Sequence, residues 1–126
     1  MLQNESRVKI VDNSGAKEGL IIRVMKGSSA KKAQTGDLVK IAIKSATPDA
    51  QVKEGEVALG LVVRLKKEMK RADGSYIKFG DNAVVLVQKD KKEGIKALGK
   101  RIFGPVDRVL RDRGYKNVAN LAEEVI

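Results

Sequence analysis

Apolar and polar positions alternate over most of residues 1–89, and that period predicts strands. In DLVKIAIKSA (37–46), Val39, Ile41 and Ile43 point one way while Lys40 and Lys44 point the other. This is a half-buried strand with a basic outer face. SRVKIVD (6–12) and GLIIRVMKG (19–27) are two further strands, separated by a turn cluster at DNSG. A polar loop, GSSAKKAQTGD, comes next with Lys31 and Lys32, and Pro48 and Gly55 punctuate a second loop over 47–56. EVALGLVVRLKK (56–67) begins as a buried strand and becomes basic, and Gly60 within it predicts a bulge or sharp bend. Asp73-Gly74 predicts a hairpin turn, with SYIKF (75–79) as its returning strand. NAVVLVQ (82–88) is the last strand of the series. Five or six short strands at this spacing predict a closed or nearly closed barrel.

The period changes after residue 89. DKKEGIKALGKR (90–101) reads as a charged connector. In FGPVDRVLRDRG, Pro105 suits a first helical turn and Gly114 a stop. Val106, Val109 and Leu110 form an inward face, with Arg108, Arg111 and Arg113 elsewhere on the same helix. Val118, Leu121, Ala122 and Val125 repeat that spacing in a second short helix. The expected organisation is one mainly β domain over 1–126. Residues 1–89 form the barrel with its ribbon, and 90–126 the connector and a helical lobe.

Charge adds a partner to this outline. The chain of 126 residues has a net charge of +10. Residues 1–60 hold ten Lys/Arg and seven Asp/Glu, a net +3, whereas residues 61–126 hold sixteen and nine, a net +7. Such an excess points to a polyanion, with nucleic acid foremost. His and Cys are both absent. Their absence removes disulfides, thiolate zinc sites and the commonest general base. A metal site of carboxylates alone remains conceivable, but no Asp/Glu cluster is spaced for one. GSSAKKAQTG lacks the order of a phosphate-binding loop. A Ser-Lys or carboxylate-pair site stays open on the residues, yet no catalytic constellation emerges, so no enzyme and no cofactor are expected. No apolar run approaches the roughly 18 residues of a membrane span. MLQNESRVKI lacks the features of a secretory signal or a transit peptide, so a protein made and used in one compartment is expected.

The basic hairpin is the most informative local feature. Arg64, Lys66, Lys67, Lys70 and Arg71 gather on the approach to the Asp73-Gly74 turn. Such a cluster suits phosphates, although lysines on an edge strand also protect against aggregation. The aromatics are Tyr76, Phe79, Phe103 and Tyr115. Tyr76 and Phe79 have opposite parity, so they make a poor stacking platform for bases. Both are expected to pack the ribbon onto the barrel. Recognition of folded RNA by backbone and shape is favoured over base stacking.

These residues resemble a known family. Gly60 with LVV (61–63), a nine-residue spacer, Asp73-Gly74, Phe79, Asn82 and Val85-Leu86 match the pattern of the large-subunit ribosomal protein fourteen family, in its bacterial or organellar form. VDNSGAK (11–17), TGD (35–37), KEGEV (53–57), RIFGPV (101–106) and LAEEVI (121–126) extend the match over essentially the whole chain. The resemblance implies a five-stranded barrel, a protruding ribbon and a lobe with two short helices. It also implies ribosomal RNA binding in the large subunit, bridges to small-subunit RNA, and ribosomal proteins three and nineteen as neighbours. A ribosome-silencing factor is a further expected partner. The expected location is the ribosome, cytoplasmic or organellar.

Combined with the charge pattern, the expected RNA-binding residues are Arg23, Lys31, Lys32, Lys40, Lys44, Lys53, Arg64, Lys66, Lys67, Lys70, Arg71, Lys78 and Arg101. Ile102, Phe103, Gly104, Pro105, Arg108 and Arg111 are the expected protein contacts. The sequence departs from the family pattern in a longer connector before Arg101 and in Lys100, where Thr is usual. Lys31-Lys32 stands where Arg-Arg is common, which keeps charge but loses bidentate grip. Glu123 replaces a usual Pro and is expected to let the last helix run longer. A free barrel-type nucleic-acid-binding module, such as a translation factor, is the alternative reading, with an enzyme third.

Overall fold

The computed structural model describes residues 2–3, 5–25, 32–92 and 94–126. Its strands begin with β1 (Leu2–Gln3), β2 (Arg7–Ile10), β3 (Ala16–Val24), β4 (Lys32–Ala33), β5 (Leu38–Ala46) and β6 (Val57–Arg64). They continue with β7 (Met69–Lys70), β8 (Tyr76–Ile77), β9 (Ala83–Asp90), β10 (Gly94–Ala97) and β11 (Ile102–Val106). The helices α1 (Val109–Asp112) and α2 (Lys116–Ala119) precede β12 (Ala122–Val125).

Five of these strands, β9-β2-β3-β5-β6, close into a barrel when β6 returns to pair with β9. The seam is β2 against β9, which run parallel with Lys9 opposite Ala83 and Ile10 opposite Val84. The other pairs around the barrel are antiparallel. Val8, Ile10, Ile21, Val39, Ile41, Ile43, Val62, Val84 and Leu86 belong to its inner core. A second core lies outside the barrel wall. There Leu61, Val63, Val85 and Val87 meet Ile102, Val106, Leu110, Val118 and Ala119 of the lobe. β6 and β9 are therefore covered on both faces. That accounts for the near-continuous aliphatic runs LVV and AVVLV, while β5, with one open face, keeps a strict alternation.

The DNSG turn ties the barrel seam to the start of β11. Asp12 is buried, and its carboxylate accepts the Leu86 backbone N–H (3.0 Å), the Ser14 N–H (3.2 Å) and the Ser14 hydroxyl (2.5 Å). Asn13 Oδ1 accepts the N–H groups of Lys100 (2.7 Å) and Arg101 (3.2 Å). This anchors the entry to β11, whose Phe103 N–H donates to the Val11 carbonyl at 2.7 Å.

Four local expectations are corrected by these contacts. Gly60 is not a bulge: it pairs in register with Val39 and Leu86, and the shift lies between Val62 and Arg64. Gly60 and Gly19 instead leave room for the Ile41 side chain, which occupies the space a Cβ would take at either position. The charged connector contains a strand, since β10 pairs antiparallel with β9 from Gly94–Asp90 to Ala97–Val87. Pro105 lies in β11 rather than in a helical turn, and the first helix begins only at Val109. Finally, the last helix stops at Ala119. Leu121, Ala122 and Val125 pack against the second core, with Ala122–Val125 as a strand parallel to β11, and Glu123 is exposed on it. Backbone bonds from Ile102 N–H to the Leu121 carbonyl (3.1 Å) and from Ile126 N–H to the Val106 carbonyl (3.0 Å) satisfy that strand where a helix would not.

The Ile41 contact makes a measurable prediction. Gly60→Ala should destabilise the protein by about 1–3 kcal/mol through overpacking. Adding Ile41→Ala should cost less than the sum of the two single changes, because the residues share one space. Urea denaturation of the three variants measures the coupling.

Candidate nucleic-acid interface

Arg64 ends β6 and lies beneath the lobe, with only 8% of its surface exposed. Its Nε and Nη2 donate to the two carboxylate oxygens of Asp81, at 2.6 and 3.2 Å. Its Nη1 donates to the carbonyls of Phe103 (3.1 Å) and Pro105 (2.9 Å). One guanidinium thus joins β6, the approach to β9, and β11. The fork geometry of arginine makes this possible, whereas lysine offers no planar equivalent. The Arg64 hydrogen bond holds the Asp81 carboxyl below its ordinary pKa, against an opposing push from burial, with the Arg64 and Lys9 charges assisting. Lys9 Nζ is 3.7 Å from the same carboxylate.

Two more arginines form a reciprocal latch between ribbon and lobe. The ribbon is the hairpin of β7 and β8, turned at Asp73-Gly74 with Gly74 at φ +90°. Arg71 on the ribbon donates to Asp107 on the lobe at 3.1 Å, and also to the Ile126 carbonyl oxygen. In return, Arg108 on the lobe donates to Asp73 on the ribbon at 2.6 Å. The Ser75 hydroxyl and N–H donate to Asp73 and, with Arg108 and Arg71 nearby, hold its pKa below the ordinary value. A fourth arginine, Arg113, donates to buried Asp37 at 2.7 Å and fastens the end of α1 to the loop before β5. A cavity of about 250 Å³ lies between ribbon and lobe, lined by Lys70, Arg71 and Arg108 and by Asp73, Asp107 and Asp112. Its charges balance, so it is not built to concentrate phosphate.

The lysines are placed differently. Lys32, Lys40, Lys44, Lys53, Lys66, Lys67, Lys70 and Lys78 are exposed, as is Arg23, and none of them forms an ion pair with a described residue. Arg101 is exposed and 4.0 Å from Glu123. Lys31 lies outside the described residues. Arg64 and Arg71 are placed differently from the ribbon lysines: both guanidinium groups donate hydrogen bonds inside the protein. Among the expected protein contacts, Phe103 is 47% exposed, Arg111 is exposed, and Gly104 and Pro105 are half-buried. Ile102 is buried in the second core, and exposed Arg108 is held by Asp73. Tyr76 is 60% exposed and does not pack the ribbon to the barrel, whereas Phe79 is half-buried.

Sequence reasoning passed over the acidic partners Asp37, Asp81 and Asp107, and Arg113 as a clamp. A signal was present. Asp37 and Asp81 each follow a glycine at the entrance to a strand, where an acid in a basic chain invites a buried cation. Among the described residues, no three His, Cys, Asp or Glu side chains gather to hold a metal ion. No helix there is long and apolar enough to cross a membrane.

Fold and surface together define a small, closed β-barrel protein of cationic exterior, carrying a ribbon and a lobe locked by Arg–Asp pairs. The family model described as ribosomal protein L14p/L23e matches residues 1–126, and the chain belongs to that family. This is a structural, non-enzymatic family of the large ribosomal subunit.

Two measurements test the clamps. Arg64→Lys should destabilise the protein by about 1–3 kcal/mol, the cost of leaving buried acceptors unsatisfied while the charge beside Asp81 is kept. The lysine cannot serve Asp81 and both carbonyls together, so recovery to within about 1 kcal/mol of wild type in urea would contradict this account. The second concerns acid. Asp81 has a depressed folded pKa, so its contribution is complete above the unfolded value near 3.9 and is lost as pH falls through the folded one. Asp81→Asn should be less stable than wild type at neutral pH, and the gap should narrow below about pH 4.

Proposed function

We propose that the chain binds large-subunit ribosomal RNA through its exposed lysines and contributes to bridges with small-subunit RNA. The observation that carries this reading is the division between its cations. Arginines at 64, 71, 108 and 113 are paired with aspartates and hold the molecule together, while the ribbon lysines 66, 67, 70 and 78 are free of ion pairs among the described residues. The excess positive charge is thus offered to an external polyanion. Each phosphate neutralised releases counterions, so binding should weaken steeply with salt.

Lys32, Lys40, Lys44, Lys53, Arg23 and Arg101 extend the basic surface beyond the ribbon. The mechanism is electrostatic and geometric: a rigid barrel fixes the spacing of its cations, and those cations hold RNA helices in register. Exposed Phe103 beside Pro105, with Arg111 on the following helix, is the surface we assign to protein neighbours. Ribosomal proteins three and nineteen and a silencing factor are the partners that the family resemblance suggests for it. The ribosome concerned is cytoplasmic or organellar.

Sedimentation of lysate through a sucrose gradient tests the reading. The protein should travel with large subunits, and its retention at the top of the gradient would refute it. Changing Lys66, Lys67, Lys70 and Lys78 to Ser should leave the barrel folded and lower the salt concentration that strips the protein from the subunit. Unchanged salt resistance would show that these lysines face solvent.

A further inference from the structure

One face of the barrel is left bare by the lobe. The second core covers the outer surface of β6 at Leu59, Leu61 and Val63 and reaches Leu38 at the start of β5, but it takes in none of Leu20, Ala42 and Val57 further along the outward face. Strand register sets those side chains in rows. Leu20 lies opposite Ala42, and Ala42 opposite Val57, giving an apolar row across three strands. Val57 is 60% exposed, and Leu20 and Ala42 are half-buried. On one side of the row Arg23 lies directly opposite Lys40. On the other side stands Lys44. Lys40 and Lys44 are four residues apart, about 13 Å along a strand at roughly 3.3 Å per residue.

Two features of this face call for an external occupant. Like charges directly opposite on neighbouring strands oppose folding, and here Arg23 and Lys40 have no acid to offset them among the described residues. Glu18, the acid of β3, is 3.5 Å from Arg7 instead. An apolar row with Arg23 and Lys40 on one side and Lys44, beside Glu18, on the other also matches one surface of RNA. The minor groove of an A-form helix is wide and shallow, lined by sugars and bordered by a phosphate strand on each side. The major groove is deep and narrow, and a sheet face cannot enter it. A single strand would call for aromatic stacking, and these rows carry no aromatic side chain.

We propose that this face docks on the minor groove of a double-helical RNA segment. Arg23 and Lys40 meet the phosphates of one strand, and Lys44 meets those of the other. The Leu20, Ala42 and Val57 row lies against the sugar edges between them, and the small side chain of Ala42 permits close approach at the centre. The proposal rests on the reading of the chain as a ribosomal RNA-binding protein, and it adds which surface of RNA is met and by which face.

The absence of cysteine makes a direct test clean, since a single introduced thiol is a unique attachment point. Ala42→Cys, Val57→Cys and, on the ribbon, Lys67→Cys are each loaded with Fe(II)–EDTA and assembled into large subunits. Hydroxyl radicals then cut nearby RNA. Tethers at 42 and 57 should cut both strands of one helix, with the two sets of cuts displaced toward the 3′ ends, as for positions facing each other across a minor groove. Cuts on one strand only, or displaced toward the 5′ ends, would overturn the proposal. So would silence at 42 and 57 while the tether at 67 cuts, an outcome that leaves RNA binding itself intact. No cuts from any of the three would remove both readings. Independently of assembly, the free wild-type chain should bind an RNA duplex of about 16 base pairs at least tenfold more tightly than DNA of the same sequence. Equal affinity would show bare charge attraction and no groove recognition.

Discussion

The buried guanidinium of Arg64 is the contact on which the rest of the arrangement depends. It donates to one carboxylate before β9 and to two carbonyls of β11, and so ties both segments to its own strand. The aliphatic second core supplies the area that presses the lobe onto the barrel, but area is non-directional. Arg64 gives that contact an orientation. It fixes how β11 crosses the end of β6, and so where α1 and the ribbon face each other. The latch of Arg71 with Asp107 and Arg108 with Asp73 then closes across a gap already set.

Arginine and lysine are divided by task between the lobe junctions and the ribbon surface, whereas Arg23 and Arg101 are exposed as the ribbon lysines are. A planar group that can satisfy several acceptors at once suits a desolvated junction, and the junctions use Arg. A compact, strongly hydrated charge on a flexible stem suits an open surface in contact with solvent, and the exposed ribbon uses Lys. Counting both as one basic excess, as composition does, overstates what is available to a partner. The aspartates at 37, 81, 73 and 107 mark the cations already engaged.

The barrel was legible in the sequence because its strands obey simple periods. β5 alternates because one face is open, and β6 and β9 run aliphatic because both faces are covered. The lobe was less legible. Leu121, Ala122 and Val125 have helical spacing, yet the decisive factor is a parallel partner strand some twenty residues earlier, which local periodicity does not register. Pro105 misled in the same way, since its missing N–H fits a strand position as well as a first helical turn. Gly60 showed that something unusual occurs at that position, but not whether a bend or the Ile41 side chain was the reason. Within the candidate interface, the exposure of the lysines follows from their charge alone. The roles of Arg64 and Arg71 depend on aspartates 17 and 36 residues away, beyond the reach of any local motif.

The parallel seam between β2 and β9 has a consequence for how the chain reaches this state. Asp12 and Leu86, which bond across that seam, are 74 positions apart in the chain. Loop-closure entropy must be overcome before such a contact returns any energy, so the seam is a late event in folding. Until then β2 and β9 are open edges, and β9 is an uncharged aliphatic strand from Ala83 to Val87. In a molecule whose seam has not closed, self-association competes with ring closure. The fraction that closes correctly is set by how quickly the two edges meet and by how crowded its surroundings are.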